Sequence, residues 1–406
     1  MVPFISILLL TLCCTQKSPI KQPTYEAPVL WSEPIEAYLQ LGREKFGDDF
    51  DKSIGALKVF NEKLWLGYGD TRVNMGSYIP IEFRYFEKPS EAQPLSAKVK
   101  GVKQGAPKRN PSDTGEERIV PFNAFGEKLW QAGYDSNNAD ELWTQSIPNE
   151  EKLIQGNLFF LRDSSTEPVW EKRRTVPGGE HVHDLAYFEE TLFAVGSGAA
   201  NRKEWESGRI FRYIWMSKDQ GESFEVFRRD EYSMLSGDTR YRALLSVSDQ
   251  LYVFGYINPY NTGKPMKSRH LTIKNGMSKE AKGEITQHVI WKTWPLNSHS
   301  GLAIGGVEAD TTQTFSINKK GSQRLENWSI GEVVYVSNAE TLKSWLVLFR
   351  NRKNNIQSLY RFNESTPNEL APLMTINGND LSSFAIWKKD LYFGTDKGKI
   401  LRAKRR

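Results

Sequence analysis

Three short stretches hold the side chains that could do chemistry. Gly69-Asp70 is followed closely by Arg72, Asn74 and Gly76. Gly133-Tyr134-Asp135 is followed by Asn137, and His181-Val182-His183-Asp184 is the third. Carboxylates, amides and imidazoles can hold a divalent ion or serve as acid and base. His181 and His183 are two residues apart, so on a strand they share a face. The same groups can instead hydrogen-bond loop backbones, as buried polar groups must. Short-spaced zinc motifs, HExxH, the Walker A loop and the GxSxG elbow are absent from the chain.

Each stretch lies beside a strand hairpin, and the hairpins recur. Residues 53–70 turn at Asn61-Glu62, 118–135 at Gly126-Glu127, 181–195 at Glu189-Glu190, 241–258 at Asp249-Gln250 and 379–404 at Lys389-Asp390. Each has an apolar strand, a polar turn, then Leu and an aromatic before a Gly. The first four turns lie about 60–65 residues apart, long for a unit of four short strands. The stretch from His181 to Phe224 is the fullest copy. It adds a third strand over Ile210–Met216, with Phe211, Tyr213 and Trp215 on one face and Arg212 on the other. The segment FEVF, which opens at Phe224, starts the fourth. Two less regular units are expected at 299–318 and 331–362, and surface excursions at 85–117 and 260–290. A short helix is expected within 31–50, with Trp31 and its neighbours adding a closing strand to the last unit.

The turn Ser217-Lys218-Asp219-Gln220-Gly221-Glu222-Ser223-Phe224 has the form S-x-D-x-G-x-[ST]-[FW], which resembles the Asp box of sialidases and other β-propellers. Ser217 opens it, Asp219 accepts from the turn's own amides, Gly221 supplies the positive φ, and Phe224 plugs into the blade. The run GYGDTRVNMGSYIPIEFRYF, then AGYD, then GNLFFLRD, then VWEKRRTVPGGEHVHDLAYF and this turn resemble bacterial sialidase-like, Asp-box (BNR) repeat β-propeller proteins. The resemblance covers about residues 53–228 and implies the fold more than an activity. Asn74-Met75-Gly76 stands where that group has N-T-G. Sialidases clamp a carboxylate with three arginines, and Arg72, Arg118, Arg209 and Arg242 are the arginines this chain offers such a clamp.

The fold expected is all-β: a single β-propeller of six or seven four-stranded blades, seven preferred, over residues 29–406. A chain of 406 residues with 12% aromatics and twelve Trp suits many short strands with large cross-strand pairs. The net charge of +5 is mild, and no nucleic-acid partner is expected. Residues 1–14, MVPFISILLLTLCC, hold an apolar run of about a dozen residues, too short to span a bilayer and right for a signal peptide. Its end resembles a lipoprotein lipobox, which makes Cys13 or Cys14 the lipidation site. Residues 15–28 read as a Pro-rich tether. Both cysteines lie ahead of the folded domain, so the domain contains no disulfide.

The expectation is therefore a monomer in the bacterial envelope, lipid-anchored or secreted. Its top face would recognise a glycan or a protein partner as a binding or scaffolding module. One alternative is a sialidase-like glycan hydrolase using Asp70, Asp135 and Asp184. The other is a metal-dependent propeller enzyme using the Asp and His groups. No cofactor is required by the sequence, and a divalent ion such as calcium is the one these side chains could hold.

Overall fold

Tight hairpins organise the chain into a ring. The computed structural model describes residues 23–73, 75–101, 111–134, 146–161, 167–233, 238–258, 267–306 and 312–406. The turns at Asn61-Glu62 and Glu189-Glu190 place both residues at positive φ (47° and 61°, 47° and 57°). That is the I′ geometry whose twist matches paired strands. In the fourth and last hairpins the turn falls one residue earlier than the sequence suggests. The strands end at Val247 and Trp387. The left-handed residues are Ser248 in one and Lys388 and Lys389 in the other.

The hairpins form seven sheets, so the ring has seven blades. Their innermost strands are Ala56–Phe60, Phe122–Phe125, His181–Phe188, Asp238–Val247, Val289–Asn297, Glu332–Ala339 and Leu381–Trp387. Each blade then steps outward through three antiparallel strands. Blade 2 gains a fifth strand, Lys98–Gly101, which runs parallel to Val169–Pro177. That strand comes from the 85–117 excursion. The expected excursion at 260–290 is instead the outer half of blade 4, strands Leu271–Lys274 and Met277–Glu280. The two irregular units are blades 5 and 6.

The ring closes as expected. Val29–Ser32 pairs antiparallel with Ile400–Ala403 as the outer strand of blade 7. Trp31 packs between Phe86 of blade 1 (4.4 Å) and Tyr392 of blade 7 (4.8 Å), so closure also bridges two blades. Pairing the ends removes the open edges that a row of blades would leave. The helix is Glu36–Phe46, buried through Tyr38, Leu39 and Gly42.

Fully buried Trp65, Trp170, Trp215 and Trp387 fill the seams between blades. Trp170 stacks on Phe83 at 3.9 Å, and the Trp215 indole donates to the Pro177 carbonyl (2.8 Å). Truncating such a tryptophan costs about 3–5 kcal/mol. Arg212, on the strand face opposite Phe211, Tyr213 and Trp215 as expected, is itself buried, because a blade has a neighbour on both sides. The recurrent Gly near the end of the second strand has a steric cause. A Cβ at Gly196 would lie 1.9 Å from the His181 carbonyl oxygen, and one at Gly305 1.9 Å from that of Val289. Only glycine lets the second strand pass so close to the inner one.

Candidate functional site

Five successive inner strands carry the same irregularity near their start. A one-residue bulge leaves His183, Arg242, Trp291, Val334 and Ser382 out of register with the second strand. A bulge re-aims side chains, and these sit at one level of the ring, at the end where the inner strands begin. That end is the channel mouth.

The carboxylates named from sequence are held by the scaffold. Asp70 is 3% exposed and accepts from the Asp51 amide (2.6 Å), the Arg72 amide (2.8 Å) and the Arg72 guanidinium (2.9 Å). Burial pushes its carboxyl up, but the hydrogen bonds from Arg72 and Asp51 outweigh it and hold it below the usual range. Arg72 is thereby spent on Asp70. Asp184 ties three blades together: it accepts from Asn123 Nδ2 (3.1 Å), the Leu185 amide (2.9 Å) and the Leu244 amide (2.8 Å). Burial raises its carboxyl to about 6, against the pull of those donors. Asn74, Asp135 and Asn137 lie outside the described residues. Among the described residues, no group of three or more His, Cys, Asp or Glu is arranged to hold a metal ion.

The mouth itself is cationic. His181 and His183 share a face, as their spacing predicts, with ring centroids 5.9 Å apart, and Tyr134 packs on His183 at 5.1 Å. Arg240 Nη1 lies 3.5 Å from His183 Nε2, which makes Nε2 the acceptor and puts the proton on Nδ1. His183 Nδ1 is buried and has no partner among the described residues. Burial, with the Arg240 charge, pushes His181 down to about 3, and burial with Arg240, Arg242 and His181 pushes His183 far below its ordinary value. Both rings are therefore neutral at physiological pH.

Four further cations complete the mouth. Tyr134 and Tyr256 flank Arg242, which feels the Arg240 charge. Lys292 on blade 5 feels Arg118, Arg242 and Arg350 together, with Glu332 opposing them. Of the four arginines available to a clamp, the structure brings Arg118 and Arg242 around Lys292. It leaves Arg72 on Asp70 and Arg209 on the outer strands, beside Glu231 (3.2 Å). Sequence reasoning missed Arg240, Lys292 and Arg350. Strand pairing, not sequence, relates them: Val182-His183-Asp184, Tyr241-Arg242-Ala243 and Ile290-Trp291-Lys292 are equivalent positions around the shared bulge.

The Ser217–Phe224 turn lies at the opposite end of blade 3, since the strands alternate in direction. Ser217 Oγ donates to Asp219 Oδ1 (2.7 Å), and the Ser223 amide and hydroxyl donate to the same carboxylate (3.0 and 2.6 Å). The Gly221 amide donates to Ser217 Oγ (2.7 Å), and Gly221 has φ 81°. Phe224 is 7% exposed within the core of the blade. Arg173 of blade 2 donates to the Gln220 carbonyl (3.0 Å) and to Glu222 (2.6 Å), so the turn fastens two blades at the rim.

No protein-family model matches the sequence, and no curated protein matches it. The fold is similar to the β-propeller domain of the trilobed protease from Pyrococcus furiosus, with a TM-score of 0.48 and 9% identity over 88% of this chain and 98% of that one. It is similar to Trypanosoma rangeli sialidase, with a TM-score of 0.42 and 10% identity over 76% of this chain and 57% of that one. The WD40 propeller domain of Doa1 gives a TM-score of 0.43 and 10% identity over 95% and 98%. Solved neighbours thus include hydrolases, sialidases and WD40 propellers, and the likeness concerns the fold alone.

Proposed function

We propose that this β-propeller is an envelope-anchored binding or scaffolding module whose channel mouth recognises an acidic group on a glycan or protein partner. The observation that carries this reading is the convergence of Arg118, Arg240, Arg242, Lys292 and Arg350 on one channel beside two neutral histidines. Like charges crowded together cost stability unless something supplies the opposite charge. Arginines additionally present forked donors that match a carboxylate or a phosphate.

The hydrolase alternative draws less support. Asp70 and Asp184 spend their oxygens on loop amides, Arg72 and Asn123. A divalent ion on these carboxylates would have to displace the same bonds.

The test is thermal unfolding of the full chain in detergent against sialic acid, a uronic acid, neutral sugars, calcium and chelator. A ligand at a hundredfold excess over its dissociation constant adds about 2.7 kcal/mol of stability. Acidic sugars are expected to raise the midpoint, and neutral ones to leave it alone. A response only to neutral sugars or to calcium overturns the reading. Anchoring rests on Cys13 or Cys14, and a Cys13→Ala/Cys14→Ala double variant that still fractionates with membranes removes that part.

A further inference from the structure

At the end of the ring away from the mouth, blades 5 and 6 enclose a cleft of about 570 Å³. Small-molecule sites run from roughly 300 to 1,000 Å³. Three turns wall the cleft: 297–300 and 318–321 of blade 5, and 363–366 of blade 6. A second cleft of about 420 Å³ shares His299 and Asn318 with it and continues to Lys319 and Lys320. The two run together as one elongated groove.

Four carboxamides of the wall are each fixed at one end. Asn297 Oδ1 accepts from the His299 amide (2.7 Å) and Asn318 Oδ1 from the Lys320 amide (2.8 Å), which leaves both Nδ2 groups to donate. Asn368 Oδ1 accepts from the Asn327 amide (3.3 Å), which leaves its Nδ2 group. Asn327 Nδ2 donates to the Asn368 carbonyl (3.1 Å), which leaves its Oδ1 to accept. Among the described residues, the side chains of Gln323, Glu364, Thr366 and Glu369 make no hydrogen bond, and Ser300 Oγ has no partner. A sugar hydroxyl both donates and accepts, so a wall that offers both kinds of group suits a polyol. The backbone at this wall is spent. Pro367 has no N–H, its carbonyl accepts from the Trp328 indole (2.8 Å), and the Asn368 carbonyl is held by Asn327. An added peptide strand would need those groups, so recognition falls to side chains.

We propose that this groove binds a neutral oligosaccharide, with adjacent hydroxyls bridging Asn327 Oδ1 and Asn368 Nδ2. It is a second site, and it does not depend on the acidic-ligand reading of the mouth. Glu364 and Glu369 line the larger cleft, where an anionic sugar would meet two carboxylates. Leu325 and Pro367 supply apolar wall for the C–H faces of the rings. The amides are already held in place, so binding does not have to order them. The groove is long, and a single neutral sugar reaches few of these groups. It gains little, whereas a chain of rings engages the whole wall.

The experiment titrates the full chain, in a sugar-free detergent, with maltohexaose, cellohexaose, mannohexaose and N-acetylated chitohexaose in a calorimeter. Hexagalacturonate is the acidic counterpart. At least one neutral hexamer is expected to bind with a dissociation constant at or below about 1 mM, and its monosaccharide at least about tenfold more weakly. Amide hydrogen exchange on the unaltered chain should slow within 316–327 and 363–369 when that hexamer is bound. Asn368→Asp keeps the acceptor for the Asn327 amide and turns the free donor into an acceptor, which should weaken binding about tenfold. Gln323→Ala, at a side chain that holds nothing in the fold, should weaken it about threefold and leave the unfolding midpoint where it was. The exchange map decides the matter even where a variant fails to fold. No binding by any of the four neutral hexamers overturns the proposal, as does tighter binding of hexagalacturonate. Protection at the mouth instead of the groove also overturns it, and so do two folded variants that bind as the parent does.

Discussion

The two ends of blade 3 treat charge in opposite ways. At the rim, Asp219 collects donors from its own eight-residue turn, and the Ser223 hydroxyl and amide with Ser217 hold its carboxyl at about 2. At the mouth, burial with the charges of Arg240 and Arg242 keeps two histidines neutral at physiological pH, while Lys292 feels three arginines. The rim charge is solved within one loop and fastens blade 2 to blade 3. The mouth charge is assembled from several blades, with Asp51 on Arg118 (3.7 Å) and Glu332 near Lys292 as acids among the arginines. A scaffold removes electrostatic conflict where it can. On the reading proposed above, conflict kept at the mouth is the place where an acidic ligand brings the missing charge.

Acidification should separate the two regions most strongly. Burial pushes His181 to about 3 and His183 far down, and it also lowers to about 4 the buried His270 between blades 4 and 5, whose Nδ1 accepts from the Gly255 amide (3.2 Å). The unfolded chain therefore binds more protons than the native one below the ordinary histidine value of 6.5. Their stabilising contribution is present above pH 6.5 and is lost as pH falls toward 4, at about 1.4 kcal/mol per pH unit for each ring. Asp184 runs the other way: raised to about 6, its contribution is full below 3.8 and is lost as pH rises through 6. Three rings outweigh one carboxyl, so chemical denaturation between pH 7 and 4.5 should show a net loss of several kcal/mol, about the amount that two or three such rings supply. His183→Gln should flatten the slope. Asp219, depressed to about 2, keeps its contribution above about pH 4 and loses it only as pH falls from there toward 2, outside this window. An unfolding midpoint that does not move between pH 7 and 4.5 would mean that the mouth histidines are solvated.

Asp184 lies at the mouth but belongs with the rim in kind. Its oxygens join Asn123, Leu185 and Leu244, and so blades 2, 3 and 4. Asp184→Ala should cost about 3 kcal/mol, because buried donors lose a charged acceptor. Ligand response should survive at low temperature, where the variant is folded. A fully stable Asp184→Ala variant that has lost its ligand would move this residue into the site and blur the contrast.

Asp219→Ala should cost less, about 1 kcal/mol, as for the loss of a helix-capping side chain. Near-ultraviolet circular dichroism of Trp130 and its neighbours, which pack with Phe224, should report any loosening. No effect on ligand binding is expected, since the turn lies at the far end of the blade. A binding defect would show that the two ends are coupled.

How much of this is legible in the sequence depends on how local the physics is. The I′ turn at Glu189-Glu190 and the glycine at 196 are determined within one hairpin and can be read there. The closing strand at Trp31 pairs with residues roughly 370 positions away and is legible only through the need of a ring to close. The partners of the candidate carboxylates are not legible in the same way. Asp70 lies two residues from the arginine that occupies it, yet spacing alone does not say that Arg72 folds back. The cationic mouth was hidden for a different reason. Arg118, Arg242, Lys292 and Arg350 are roughly 50 to 120 residues apart along the chain, and only ring closure brings them together. The shared bulge, which places His183 and Arg242 at one level and Lys292 directly after it, is a pairing property with no residue signature of its own.

The smallest expected effect is the most discriminating. Lys292→Met keeps a long stem in the channel and removes one charge from a like-charged set. If the mouth is a strained binding site, the variant should be more stable than the parent, by at most about 1 kcal/mol once solvent screening in the channel is allowed for. It should also lose the response to acidic ligands. A structural lysine gives the opposite pair of results: lower stability, with ligand response retained. Denaturation curves with and without a saturating acidic sugar measure both in one experiment. The sign of the stability change then says whether the cations at the mouth are tolerated for a ligand or kept for the fold.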